Sequence, residues 1–587
     1  MAEGQGPTLT IAVEGCLHGE LDRMYDTLAY IERTQGIKVD ALLCCGDFQA
    51  LRDASDLESL ACPPKYRQLN SFQKYFSGEK RAPVLTLFVG GNHEASNHLQ
   101  ELPHGGWVAP NIYFLGRASV VDLNGLRIGG LGGIYNDRHY RQGLYEAPPY
   151  SADTLRSVYY TRALDTFRLC QLQPPSDFTG PPDTLPDSFE NPLADPSGRA
   201  VGAFLSHDWP TGIAQHGNIS NLLRRKRFLA DEIANDSLGS PAGATVLSTL
   251  QPSHWFAAHL HTKFAALVRH PPPGLVPGGP QEPGRIPGTG RATKFLSLDK
   301  CLPARDFLQI VQMPCVRDGP AVLSYDAEWL AVLRSTAPLL ASSAGQVHTP
   351  PFPDANPNFN TAATLAWRPG PDGIKWVLEK AKRIPPAGTL AVEGVPLAIP
   401  HNWAPSRATP SAGRSAPVGA QTIALLAWLE LPPDLDSRPS QQLPAGPKAS
   451  DTVSHRASLA RRPAATVPPL PPAPSFFNGV IPLPPSFPNA ARLGYSLAPP
   501  QSLGGNVLSC GMSGMAPFPA FVVGAPYPQP PPPIGQWVPQ QPHPPLPANP
   551  PPAFPPVSAG AVDSGDPDEI DLDESGDEGS ASKRHKQ

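Results

Sequence analysis

Five short runs of almost uninterrupted apolar residues punctuate the first half of the chain: "LTIAVEG", "ALLCCGD", "VLTLFVGGNH", "AFLSHD" and "WFAAHLH". Each ends in polar residues. Runs of this length without alternation predict strands buried on both faces, as in the centre of an α/β core. Between the first two, Leu21, Met24, Tyr25, Leu28 and Ile31 repeat at helical spacing, which predicts a crossover helix. "ASVVDLNGLRIGGLGG" reads as a hairpin, with Asn124-Gly125 supplying the positive φ values of a tight turn.

Further along, the pattern is broken twice by Pro/Gly-rich sequence, at about residues 173–199 and 271–292, which reads as surface insertions in a core of residues 8–270 and beyond. "TKFLSLDKCLPARDFLQIV" is apolar again, "LSYDAEWLAVLRST" predicts a helix, and "NTAATLAWRPGPDGIKWVLEKAKRI" is a last ordered element. A C-terminal subdomain is therefore expected over 293–385, and no internal repeat suggests a solenoid.

Composition changes the picture only at the C-terminal end. The chain has 78 prolines in 587 residues, and more than half of them follow residue 384. Missing amides and a fixed φ exclude ladders and helices from stretches such as "PPLPPAPSFF", so residues 386–587 are expected to be a disordered tail. That tail carries an acidic run, "DSGDPDEIDLDESGDEG", and a basic end, "SKRHKQ", which read as solvated sequence, with partner docking or nuclear import as the rival. A formal net charge of −5 gives no global basic field for nucleic acid. The eight cysteines form no CxxC pair and no disulfide framework, and no apolar run is long enough to span a bilayer. The expectation is a soluble intracellular protein.

The chemistry sits at the strand ends. Cys16 and His18 lie in "EGCLHG", Asp47 in "CGDFQ", Asn92 and His93 in "GGNHE", His207 in "LSHDWP", and His259 and His261 in "AAHLH". Each alone is more often a structural residue than a ligand. Together they are the donor types of a divalent metal centre, and an α/β sheet gathers such residues at the carboxyl ends of its strands.

In that order and context the motifs resemble those of the calcineurin-like metallophosphoesterases, over about residues 8–270. With "GGIYN", "LSHDWP" and "KFLSLDKCLPARDFLQI", the sequence is most similar to the lariat debranching enzymes, where cysteine replaces the usual first aspartate. The resemblance implies an α/β fold, a β-sandwich flanked by helices with a C-terminal subdomain. It also implies hydrolysis of the 2′,5′-phosphodiester bond at the branch point of excised intron lariat RNA, linearising it for turnover. Carried over by position, Cys16, His18, Asp47 and His261 would hold one metal, and Asp47, Asn92, His207 and His259 the other. Two divalent ions ~3.5 to 4 Å apart would engage the phosphate oxygens and activate water, with Asp47 bridging. His93 would protonate the departing 2′-oxygen or bond to the phosphate.

A thiolate at Cys16 is softer than a carboxylate and favours Fe(II) and Zn(II) over magnesium, with Mn(II) able to support activity. The plainer alternative is a packed thiol beside a one-metal site. Asp208 is read as orienting an imidazole or as a capping carboxylate. Tyr135, Asn136, His139, Tyr140 and Arg141, in the Tyr/Arg-rich stretch after "GGIYN", are expected to contact RNA, while Tyr159 and Tyr160 read equally as the buried face of a helix near Ser151. Arg224, Arg225, Lys226 and Arg227 would attract the RNA backbone or form an ordinary basic turn. The expected partners are branched intron RNA and splicing or intron-turnover proteins on the Pro-rich tail, with no membrane. Residence would be nuclear, with a possible cytoplasmic pool. The rival functions are a phosphoprotein phosphatase or nucleotide phosphodiesterase on the same centre, and a non-catalytic scaffold.

Overall fold

The computed structural model describes residues 6–172, 200–270, 291–340, 366–383, 397–399 and 418–432. The expected insertion at 173–199 and nearly all of that at 271–292 lie outside these residues, as do the acidic run and the basic end.

Two sheets form the core. In the first, β1 (Thr8–Glu14), β2 (Ala41–Cys44), β3 (Leu85–Phe88), β4 (Gly106–Ala109) and β5 (Ile112–Phe114) are joined by β12 (Leu308–Pro314) in the order β12-β1-β2-β3-β5-β4. The second contains β6 (Ala118–Leu123), β7 (Leu126–Leu131), β8 (Ala203–Ser206), β9 (His254–Ala257), β10 (Phe264–Arg269), β11 (Ala292–Ser297) and β13 (Leu323–Tyr325), ordered β10-β11-β9-β8-β7-β6-β13. The five apolar runs are β1, β2, β3, β8 and β9. β1, β2 and β3 pair parallel, as do β8 and β9, so their carboxyl ends emerge on the same edge of each sheet.

Their unbroken hydrophobicity follows from burial on both faces. Leu9, Ile11 and Val13 of β1 and Leu43 of β2 meet Ile128, Leu205, Phe256 and Leu296 between the sheets. Ala12, Leu42 and Cys44 point the other way, onto the helix Leu21–Gln35, which buries the predicted helical stripe together with Thr27. On the outer face of the second sheet, Phe204, Trp255 and Phe295 pack in the cluster that includes Val246, Leu250, Leu330 and Leu333 of the helices Pro241–Leu250 and Ala327–Thr336. Each such side chain removed from water contributes about 1.5–3 kcal/mol. The hairpin turns through Asn124 (φ 50°) and Gly125 (φ 92°), as its sequence requires.

The C-terminal segment expected from 293 is woven into both sheets: β11 inserts between β9 and β10, β12 runs antiparallel to β1, and β13 closes on β6. Which sheet edge a strand joins is a matter of backbone pairing and leaves no mark in its own hydrophobic pattern. One expectation is corrected: the packed chain does not end at 385. Leu397–Ile399 bonds to Leu323 and Tyr325, and the helix Ala420–Trp428 buries Leu425 and Trp428 while Gln421 bonds both the N–H and the carbonyl of Trp107, each at 2.9 Å. Nine residues without proline, "AQTIALLAW", were hidden by the proline density around them. β4, β5 and β10 were also missed; β10 alternates buried and half-exposed positions because it lies at an edge.

The C-terminal part is locked to the hairpin by a buried charge cluster. Arg127 of β7 makes a two-pronged contact with Asp326, at 2.8 and 2.9 Å, and reaches Glu328 at 3.0 Å. Asp326 also caps its helix by accepting the N–H of Trp329. Removing one partner strands the others. Arg127→Met is therefore expected to cost about 3–5 kcal/mol, read as a lowered urea midpoint with an unchanged m-value, and a triple variant that also neutralises Asp326 and Glu328 should recover part of the loss.

Candidate metal centre

The loops after β1, β2, β3, β8 and β9 converge on Asp47. Its carboxylate is buried at 1 % exposure, and Oδ1 accepts the backbone N–H of His93 at 2.8 Å. The same oxygen lies 3.3 Å from His207 Nε2, while Oδ2 faces His18 Nε2 at 3.7 Å. Cys16 Sγ and a nitrogen of His261 complete this side: the ligand-type atoms of Cys16, His18, Asp47 and His261 all lie within 4.8 Å of one another. On the other side, Asn92 Oδ1 is 3.0 Å from His207 Nε2, and the His207 and His259 rings are 5.0 Å apart.

The backbone at these positions is unusual. His18, Asp47, His259 and His261 all have positive φ, between 45° and 65°, as does Gln49. Each such residue costs on the order of 1 kcal/mol or more, and clusters of them mark functional turns. Glycines make the approach possible. A Cβ on Gly91 would lie 2.2 Å from Asp47 Oδ1, and one on Gly46, at φ 112°, 2.3 Å from His207 Nδ1.

The residues fit a divalent cation on each side of Asp47. His18 Nε2 and Asp47 Oδ2 are buried, face one another and make no hydrogen bond. His207 gives its Nδ1 hydrogen to the Cys45 carbonyl at 2.9 Å, so in the neutral ring the Nε2 lone pair faces two oxygens, from Asn92 and Asp47. Lone pairs converging in a buried space call for a positive charge. Burial alone would lower the pKa of His207, but the Asp47 carboxylate more than offsets it and raises it. Burial keeps the other imidazoles neutral, the form that ligates: His18 is lowered to about 4, His259 to about 3, and His261 further still. Asp47 is held well below the carboxylate range by His207 and His93, against the opposing effect of burial.

Three groups that the sequence reading passed over support the cluster. Glu94, the last residue of "GGNHE", accepts the N–H groups of Phe48 and Gln49 at 2.8 Å and of Gly91 at 2.9 Å, tying the Asp47 loop to the Asn92 loop. Burial and the nearby Asp47 charge push it up to about 8. The side-chain amide of Gln49 lies 3.2 Å from His18 Nδ1, where it orients the ring. Lys300, buried at 3 %, pairs its backbone with that of Cys16, and its charge helps to hold His261, His18 and His93 unprotonated. A charged residue in the apolar segment "KFLSLDKCLP" was the signal for it.

A sequence model of calcineurin-like phosphoesterases matches residues 9–263, and one of the lariat debranching enzyme C-terminal domain matches residues 290–432. The chain is 51% identical to a lariat debranching enzyme A of Xenopus laevis over 332 residues, which is 57% of this chain and 55% of that protein. The lariat debranching enzyme of Homo sapiens is 47% identical over 372 residues, 63% of this chain and 61% of its own. That of Arabidopsis thaliana is 42% identical over 431 residues, covering 73% of this chain and 88% of the plant protein. The chain belongs to the lariat debranching enzyme family.

The match thus spans about half to three-fifths of the vertebrate relatives and most of the plant one. All eight strand-end residues fall in the calcineurin-like region, while Lys300 comes from the C-terminal domain that distinguishes the lariat debranching enzyme family.

The fit to the expected contacts is uneven. Asp208 does not orient His207, whose ring is set by the Cys45 carbonyl. Its carboxylate instead accepts the backbone N–H groups of Trp209 and Tyr135, at 2.8 and 3.1 Å, fastening the start of the Tyr-rich segment. Within that segment Asn136 caps the short helix Asp137–Tyr140 and bonds His139 Nδ1 at 2.8 Å. His139 and Tyr140 are buried, Tyr140 against Ala163 and Ala242, so neither presents a free face to RNA. Tyr135 remains half-exposed and Arg141 exposed. Tyr159 and Tyr160 are half-buried just beyond the helix Thr154–Ser157. Arg224, Arg225 and Arg227 are exposed and Lys226 half-buried.

The tight approach of Gly91 gives a direct test. Gly91→Ala puts a methyl against Asp47 and His207, and is expected to displace both, with loss of most bound divalent metal by elemental analysis, whereas Gly36→Ala, where the added Cβ meets nothing within 4 Å, should retain it.

Proposed function

We propose that this chain hydrolyses the 2′,5′-phosphodiester bond at the branch point of intron lariat RNA, releasing a linear product for turnover. The observation that carries this reading is the cluster of Cys16, His18, Asp47 and His261, a thiol-containing donor set in a chain whose relatives are lariat debranching enzymes. Cys16, His18, Asp47 and His261 would hold one divalent cation, and Asp47, Asn92, His207 and His259 a second. When bound, the cations supply positive charge to the phosphate and acidity to water.

The protein's own groups then do the following. Asp47 serves both sets because its two oxygens are already divided, Oδ1 toward His207 and Oδ2 toward His18. His93 is fixed by its backbone bond to Asp47, and its ring centroid is 5.8 Å from that of His18. Burial lowers its pKa, and the N–H of the neutral ring can hydrogen-bond the departing 2′-oxygen as charge develops on it. Lys300 adds a buried positive charge beside the first set.

The soft thiolate of Cys16 favours Fe(II) or Zn(II) in the first set, while the oxygens of Asp47 and Asn92 let Mn(II) serve in the second. Nuclear residence follows from the substrate, and the Pro-rich sequence after 432, which lies outside the described residues, would recruit splicing or intron-turnover proteins.

The deciding experiment offers the metal-loaded protein an RNA that carries 2′,5′ and 3′,5′ linkages on one adenosine. Cleavage is expected only at the 2′,5′ bond, and His93→Ala is expected to lower kcat about 100-fold or more with metal content unchanged. Turnover of simple phosphoesters without branch cleavage would favour a phosphatase instead. For the metals, Cys16→Asp is expected to lose zinc and iron in favour of manganese and magnesium, measured on protein purified with and without oxygen; an unaltered metal profile would remove the role given to the thiol.

A further inference from the structure

Among the described residues two large hydrophobic side chains are exposed, Phe228 at 50 % and Ile423 at 39 %. A single exposed ring needs no explanation by itself. The setting of Phe228 does, because it ends the basic run "RRKRF" and stands in a segment pinned at both ends. The helix Ile219–Arg225 is capped by Asn218, whose side chain accepts the N–H of Asn221 at 2.9 Å. Leu222 before the cations and Leu229 after them are fully buried in the core cluster, which also holds Ile233. With Leu222 and Leu229 inside, Arg224, Arg225, Arg227 and Phe228 are left facing solvent. Lys226 Nζ lies 5.6 Å from the Phe228 ring centroid.

The segment is tethered to the metal centre's own loop. The Arg225 guanidinium donates to the carbonyl of Lys263 at 2.7 Å, two residues past His261, and Gly217 bridges to Ala266 of β10. The charge of Lys226 acts on Asp299, the neighbour of Lys300, whose backbone is paired with Cys16. On this flank Asp299 also pairs with Arg305 at 3.5 Å, and Asp306 with Lys263 at 4.0 Å. Asp231 and Glu232 follow on the next helix, Ala230–Ala234, and leave the run of four cations net positive.

We propose that Phe228 is a nucleobase-stacking residue which, with Arg225 and Lys226 on the flanking phosphates, forms a track for one single-stranded arm of RNA beside the His261 loop. An exposed aromatic face among cations is what a sequence-tolerant single-strand site needs, since every base has a π-face and every linkage a charge. An acidic peptide would use the cations but not the ring. This inference deepens the reading of the site as one that acts on RNA and rests on it.

The test uses the full metal-loaded chain and a linear RNA of about ten nucleotides with 2-aminopurine at successive positions, plus branched RNAs of increasing arm length. Phe228→Ala is expected to weaken linear RNA about tenfold, to abolish quenching at one 2-aminopurine position, and to raise KM more as the arm lengthens, with kcat little altered. Phe228→Trp should restore binding and quenching. Arg225→Gln is expected instead to reduce the slope of log affinity against log salt. Wild-type affinity in Phe228→Ala, or a KM effect independent of arm length, overturns the proposal, as does tighter binding of polyaspartate than of RNA. Should the wild type cut no branched RNA while quenching still depends on Phe228, the debranching reading fails and the track stands; cleavage without that dependence gives the converse.

Discussion

A carboxylate with 1 % exposure at Asp47 is the constraint around which the molecule is arranged. An ionised carboxylate removed from water must be met by donors or cations on every side. Here the groups that meet it come from loops remote in sequence: a backbone N–H donated by His93, and the Nε2 atoms of His207 and His18 at 3.3 and 3.7 Å, where a cation would stand between nitrogen and oxygen. None of these loops can relax independently, because Gly91 and Gly46 already pack within contact distance of Asp47 and His207. Left-handed backbone at His18, Asp47, His259 and His261 is the local cost of aiming five loops at one point. The parallel strands beneath them, buried on both faces, are rigid enough to sustain it.

The C-terminal family domain is part of that scaffold. It supplies a neighbour for β1 in the first sheet and for β9 in the second, and these two strands carry Cys16 with His18, and His259 with His261. Through the same segment it brings Lys300 beside the thiol. A metal set that begins with cysteine is therefore built together with the domain that marks the lariat debranching enzyme family, and a buried lysine beside a thiol, an aspartate and neutral imidazoles sets the charge balance of the pocket. The Arg127–Asp326–Glu328 cluster holds the two regions in register far from the chemistry.

Around the centre, polar side chains act mainly as fasteners. Glu94 joins two ligand-bearing loops, and Asp208 joins the His207 strand to Tyr135. Such bonds convert the precision of the sheets into precision of the loops, and they explain why residues that resemble binding groups in sequence, such as His139 and Asn136, are engaged with each other. The exposed cations and Phe228 are the contrasting case, held outward by Leu222 and Leu229.

Legibility followed the range of the interactions. Buried strands, the Leu21–Gln35 helix, the Asn124-Gly125 turn and the donor types at five strand ends were determined by the sequence alone, because each depends on the residues within a few positions of one another. The two-sided burial that makes β1, β2, β3, β8 and β9 continuously apolar is itself a record of where they lie. Tertiary structure decided the remainder. The strand order that threads β11 and β12 into separate sheets, the packing of Ala420–Trp428 on Trp107, the burial of Tyr140 and the assignment of Asp208 all depend on which distant backbone or side chain is opposite. A residue's own neighbours cannot say whether an aspartate will meet an imidazole or an N–H, or whether a tyrosine in a polar loop will turn inward; that is settled only when the sheets bring the loops together.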